Sequence, residues 1–220
     1  MSPPVGPTGL RYCSGDDTDP VWRAGVSGAW SGTHLIFSSG GSSFDTYFEK
    51  YAVTAGLDRR LGDRWTLGGA VGTTVTGALV VRGSVSSVSP GPLAAVTASF
   101  RPLDEGELTP FLLLTGSAAA SLSWTTPRAG GTASALSALD ARLGLVAGKT
   151  IAHVVTPYVL ARVFGGPVFG SLGGNAVTGT DASHYQLGAG VSVRLGRVDL
   201  VAEAVPLGEL EIVAGAGLAF

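Results

Sequence analysis

One cysteine, Cys13, and one methionine, Met1, occur in 220 residues. A lone thiol excludes an intrachain disulfide, and Arg11 and Tyr12 stand before it where a lipoprotein box would need small residues. Charge is also scarce. Asp, Glu, Lys and Arg make up 14% of the chain, well below the usual quarter, and a net charge of -2 gives no signal for nucleic acid or an anionic membrane surface. No basic-then-apolar leader opens the sequence, so the expectation is a mature segment behind an added initiator Met. Mean hydropathy is nevertheless high, at +0.36. No apolar run of about 18 residues accompanies it, which excludes a transmembrane helix, and sustained 3.6-residue periodicity is missing. A chain this apolar without long apolar runs must spread its hydrophobicity thinly, and alternating strands do that.

Alternation is what the sequence has in quantity. Period-two segments predict ten strands, at about 21–31, 47–60, 64–80, 92–101, 109–124, 135–149, 153–165, 184–195, 197–205 and 209–220. Each has the 9–11 residues, or more, that a tilted strand needs to cross a bilayer. The joins alternate in kind. Leu61-Gly62-Asp63, PLDEGEL (102–108), Thr150 to Ala152 and Leu195-Gly196-Arg197 are short. Segments 32–46, 82–92, 126–134 and 165–183 read as longer Gly/Ser-rich loops, and the last join of that set, around Pro206-Leu207-Gly208, is short again. Short turns at one end and loops at the other suit an outer-membrane barrel.

The composition of the two faces decides between a membrane barrel and a soluble sandwich or lipocalin-like binder. One parity is apolar, as in Tyr185, Leu187, Ala189, Val191, Val193 and Leu195. The other carries Gly, Ala, Ser and Thr with a few charges of both signs, which suits a crowded lumen rather than a wet outer face. Arg23, Arg64, Arg142, Arg162, Arg194, Asp140, Asp199, Glu203 and Glu211 are expected to pair there, since a buried charge needs a partner. Strands five and seven are noisier: Phe111 and Leu113 share a parity with Thr115 and Ser117, and Tyr158, Leu160 and Phe164 with Arg162. All four tryptophans, Trp22, Trp30, Trp65 and Trp124, fall on the apolar parity near strand ends. With Phe100, Tyr51, Tyr185 and Phe220 they form two expected interfacial girdles.

The last strand, ELEIVAGAGLAF, alternates Leu210, Ile212, Ala214, Ala216, Leu218 and Phe220 with small or acidic residues. It resembles the assembly signal of bacterial outer-membrane β-barrel proteins, and the chain from 21 to 220 is similar to the small-barrel group of OmpA-type, OmpW-type and porin-family chains. The resemblance implies an all-β, antiparallel transmembrane β-barrel of about ten strands, with eight as the alternative, preceded by a flexible segment at 1–20. It implies the outer membrane as location, the bilayer and the barrel-assembly machinery as partners, with Leu210, Ile212, Leu218 and Phe220 as the recognised row, and possible contact with other envelope proteins.

Candidate chemistry is thin. His153 falls at a short turn; His34 and His184 fall in or beside outer loops, where Asp45, Asp181, Ser31 or Ser183 could activate a nucleophile, but no local motif accompanies them. GDDTDP (15–20) lacks calcium-loop spacing, and GGPVFGSLGGNAVTG (165–179) follows no βα unit and reads as a mobile outer loop rather than a phosphate cradle. The expectation is therefore a barrel without catalytic activity, cofactor or metal, acting as a narrow channel or as a structural or interaction scaffold. The alternative is an outer-membrane hydrolase using His34 or His184.

Overall fold

The computed structural model describes residues 21–172 and 174–220; the segment expected to be flexible, 1–20, lies outside them. Thirteen antiparallel strands follow one another in it: β1 (Trp22–Ser39), β2 (Ser42–Leu61), β3 (Trp65–Val81), β4 (Ser84–Ser89), β5 (Gly91–Leu103), β6 (Phe111–Pro127), β7 (Ser134–Gly148), β8 (Val155–Gly165), β9 (Val168–Leu172), β10 (Asn175–Asp181), β11 (Tyr185–Leu195), β12 (Val198–Gly208) and β13 (Leu210–Ala219). An open sheet edge in lipid would leave N–H and C=O groups unpaired at several kcal/mol each, and this sheet has no open edge. Ten strands close a ring in the order β1-β2-β3-β5-β6-β7-β8-β11-β12-β13, and β13 returns to β1 from Arg23↔Ala219 to Gly32↔Leu210.

The ring does not keep ten strands along its whole length. The β12–β13 hairpin ends at Gly208, well short of the end of β1 at Ser39. Beyond it β10 pairs directly with β1, from Leu35↔Asp181 to Ser38↔Thr178. The far end is thus a second closed ring of eight: β1-β2-β3-β4-β6-β7-β9-β10. Two of the strands that serve both rings are broken at a proline beside a glycine, β4/β5 at Pro90-Gly91 and β8/β9 at Gly166-Pro167. Proline removes a ladder donor. Glycine lets the chain close on its neighbour, for a Cβ on Gly91 would strike the Leu122 carbonyl oxygen and one on Gly166 that of Leu139.

The tall end corrects part of the sequence reading. Residues 32–46, read as a loop, are the paired ends of β1 and β2, joined at Gly40-Gly41; β1 and β2 run 18 and 20 residues, roughly 60 Å each at about 3.3 Å per residue. Segment 82–92 holds β4, and the Gly-rich stretch read as a mobile loop forms β9 and β10. The composition misled because the strands there have left the bilayer. Their outward row meets water and is Ser- and Thr-rich, as at Ser38, Ser43, Ser87, Thr178 and Thr180. Their inward row is apolar, the reverse of the pattern nearer the short turns.

In the ten-stranded part the outward row is the apolar one. Val26, Val71, Val96, Leu143, Val159 and Val163 are all more than half exposed in the isolated chain, which only a lipid solvent would tolerate in such density. Replacing Val71, midway along β3, with Arg is expected to cost about 2–4 kcal/mol of folding stability in lipid vesicles. Ser38→Arg, on the outward row of the tall end, is expected to stay within about 0.5 kcal/mol. Urea titration monitored by tryptophan fluorescence separates the two.

Candidate functional site

The lumen is stacked in layers. At the tall end, Leu35 and Phe37 of β1, Phe48 of β2, Leu79 of β3, Val88 of β4, Leu136 and Ala138 of β7, Val168 of β9 and Val177 of β10 pack into one buried apolar cluster, with Phe44 and Val81 against it. Eight strands leave an interior just wide enough for side chains to fill, and bulky apolar ones fill it here. This apolar cluster occupies the lumen at the tall end.

Directly beneath lies a buried charged layer. Arg142 of β7 donates from Nε to Asp140 at 3.2 Å, from Nη2 to Glu209 at 3.1 Å and from Nη1 to Glu211 at 3.2 Å. Gln186 of β11 donates from Nε2 to Glu211 at 3.1 Å and to Glu209 at 3.3 Å. Arg142 also stands over the Phe164 ring, 5.5 Å from its centroid. Arg162 of β8 meets Glu203 at 2.8 Å and Glu211 at 3.8 Å, and the Tyr158 hydroxyl donates to Glu203 at 3.2 Å. Lys50 of β2 is buried in the same layer. A guanidinium offers five N–H donors in a planar fork and can be shared among several carboxylates.

Below this layer the two walls differ. On one side Phe111, Leu113, Val146, Tyr158, Leu160 and Val205 form a second apolar cluster. This is why strands five and seven of the sequence reading looked noisy: their inward parity is apolar because it packs against itself inside the barrel. On the other side small residues leave space. Gly25, Ser27, Thr54, Gly56, Gly69, Ala70, Thr97 and Gly215 line a cavity of about 50 Å³, room for about three or four waters at roughly 15 Å³ each. At the short-turn mouth Arg23 bridges Asp199, at 2.9 Å from Nε, and Asp58, at 3.2 Å from Nη1.

The structure therefore gathers Arg142, Asp140 and Glu211 with Arg162 and Glu203 in one layer and places Asp199 with Arg23 in another. Arg194 is half-buried on the inward row opposite Asp199. Arg64 is not in the lumen; it is exposed in the β2–β3 turn, because the strand begins only at Trp65. Glu209, Gln186, Lys50, Asp58 and Tyr158 complete the layers and were not singled out from sequence; the first four sit on an inward parity that the alternation made legible, whereas Tyr158 lies on a strand whose alternation is blurred. Outside, Trp22, Trp65, Trp124, Tyr51, Tyr185 and Phe220 are exposed and Trp30 and Phe100 half-buried. Trp65 and Phe100 meet across a register pair with ring centroids 4.8 Å apart, and Trp22 and Phe220 exchange backbone hydrogen bonds at the seam. The outward side chains of Leu210, Ile212, Leu218 and Phe220 follow from the same register.

The histidines do not assemble with nucleophile or acid. His34 faces outward and lies on Tyr47, 5.2 Å between centroids, and Asp45 is exposed on the next strand. Ser31 and Asp181 face the lumen, where Thr33 donates to Asp181 at 3.2 Å. His184 lies against Phe164 at 6.5 Å, and His153 sits in the β7–β8 turn with a left-handed backbone, φ 58°. Among the described residues neither His34 nor His184 is hydrogen-bonded to Ser or Asp.

Arg142→Met is expected to destabilise the barrel by about 3–5 kcal/mol, because it removes the cation that bridges three buried carboxylates. Adding Glu209→Gln and Glu211→Gln should restore part of the loss. Urea unfolding midpoints of the single and triple variants test this; a triple variant less stable than the single would overturn the pairing.

No family model and no curated protein matches this sequence. Solved structures do. The outer membrane protease OmpT from Escherichia coli aligns over 92% of this chain and 98% of its own, with a TM-score of 0.60 and 12% identity. The translocator domain of the autotransporter NalP from Neisseria meningitidis aligns over 94% and 91%, with a TM-score of 0.51 and 12% identity. The fold of this chain is that of the bacterial outer-membrane β-barrel proteins.

Proposed function

We propose that this chain is an integral protein of the bacterial outer membrane whose lumen opens to one side only, and that it serves as a non-conducting, non-catalytic scaffold of the envelope. The short turns face the periplasm and the tall eight-stranded end stands above the outer leaflet. The observation that carries this reading is the apolar plug of Leu35, Phe37, Phe48, Leu79, Leu136 and Val168 across the whole tall end. A diffusion pore needs a continuous wet path, and a well-packed apolar layer excludes water. The outward girdles hold the barrel at the two interfaces, and the row Leu210, Ile212, Leu218 and Phe220 on the closing strand is the surface assigned to the assembly machinery. The separation of His34, which faces water, from Asp181, which faces the lumen, speaks against hydrolysis.

Single-channel recording in planar bilayers tests the reading. The refolded chain is expected to give no discrete conductance steps, with heat-modifiable gel mobility as proof of folding. The variant Leu35→Ser/Phe37→Ser/Phe48→Ser is expected to give steps, because it turns the plug polar. Steps from the unaltered chain would contradict a closed lumen.

A further inference from the structure

The lipid-facing wall is uneven. Most of its outward row is bulky, as at Val71, Val96, Leu143, Val159 and Val163. At the seam it is small. Ala24 of β1, Ala55 of β2 and Ala216 of β13 stand outward there, and beside them Gly25 pairs with Gly217 on one side and with Gly56 on the other, so glycine fills one row of the wall across the seam. Val26, Val198 and Leu218 rise around this floor. The result is an apolar groove of about 540 Å³ on the outer face of the barrel, within the range of ligand sites, about 300–1,000 Å³. It lies toward the short turns, since Ala24 is the next outward residue after Trp22 at the rim.

A charge marks that end of the groove. Arg59 of β2 is exposed on the outward row opposite Trp22, with its guanidinium 5.2 Å from the Trp22 ring centroid. Arg23, Arg101, Arg142 and Arg162 each meet a carboxylate; among the described residues Arg59 forms no ion pair. The adjoining turn region carries Arg60 and Arg64 against Asp63. A cation on a lipid-facing row is costly unless an anion meets it, and a guanidinium takes a phosphate through paired N–H donors. The step from the level of Arg59 and Trp22 to that of Ala24 is two residues, about 7 Å, so a group held at Arg59 has the groove directly beside it.

We infer that the seam groove is a binding site for one anionic phospholipid of the short-turn leaflet, its phosphate on Arg59 and an acyl chain across Ala24, Ala55 and Ala216. A second copy of the chain fits the groove less well. A two-fold pair sets the same face against itself, which leaves a gap where contact is needed and brings two Arg59 side chains to one depth. The site depends on the barrel facing lipid and not on whether the tall end is closed.

Native mass spectrometry of the refolded full-length chain tests the site. The chain is released from micelles holding equal amounts of palmitoyl-oleoyl phosphatidylglycerol and of phosphatidylcholine with the same acyl chains. One phosphatidylglycerol retained per barrel, at least tenfold over phosphatidylcholine, is the expected result. Arg59→Gln should abolish that preference. Ala24→Leu/Ala216→Leu, which fills the groove, should lower retention of both lipids tenfold or more. Ala141→Leu, the same change on the exposed outward row of β7 across the ring, should leave retention as it is. Heat-modifiable gel mobility shows that each variant has folded; if the groove-filling pair does not fold, the Arg59→Gln comparison decides alone. Equal retention of the two lipids by the unaltered chain, no retained lipid, an unchanged preference in Arg59→Gln, or dimers in place of bound lipid overturns the site.

Discussion

Pairing of the main chain governs this molecule. In the hydrocarbon layer no N–H or C=O can turn to water, so the sheet must close, and it closes where β13 meets β1. That seam runs from the Trp22–Phe220 exchange to Gly32↔Leu210 and stops where the β12–β13 hairpin ends. Above it the edge of β1 would stand open. β10 fills it, and the ring shrinks from ten strands to eight. The loss of two strands narrows the interior to the width that side chains fill. A dry plug is then the consequence of where one hairpin turns.

The same two-residue period serves opposite ends along a single strand. On β1, Trp22, Val26 and Trp30 face lipid while Arg23, Ser27 and Ser31 face the lumen; six residues beyond Ser31, Phe37 is buried inside and Ser38 faces water. No register slip separates the two regimes on this strand. The solvent outside changes from lipid to water, and apolar side chains move to the face that is sheltered from each. The charged layer sits at this transition, between a plug that excludes water and a cavity that admits it.

Much of this was legible in the chain. The ten ring-forming strands, the short turns and the outward aromatic rows followed from alternation, because lipid on one side imposes one polarity on one parity. The tall-end strands were not legible: SVSSVS and GGPVFGSLGGNAVTG have the composition of loops, and their polarity is reversed with respect to the membrane-facing segments. The lumen charges could be assigned a parity but not partners. Arg142 and Glu209 stand 67 residues apart, and their meeting depends on barrel stagger, which no local pattern encodes. Phe111, Leu113, Tyr158 and Leu160 blurred the alternation because one lumen wall packs dry against itself.

Cysteine accessibility tests the one-sided lumen most directly. In a Cys13→Ser background, Ser27→Cys and Thr97→Cys place a thiol in the small-residue cavity, and Leu35→Cys places one in the plug. A charged, membrane-impermeant thiol reagent should modify the first two from the short-turn side alone and leave Leu35→Cys unmodified from either side. Modification of Ser27→Cys or Leu35→Cys by reagent confined to the tall side would contradict a barrel closed at that end.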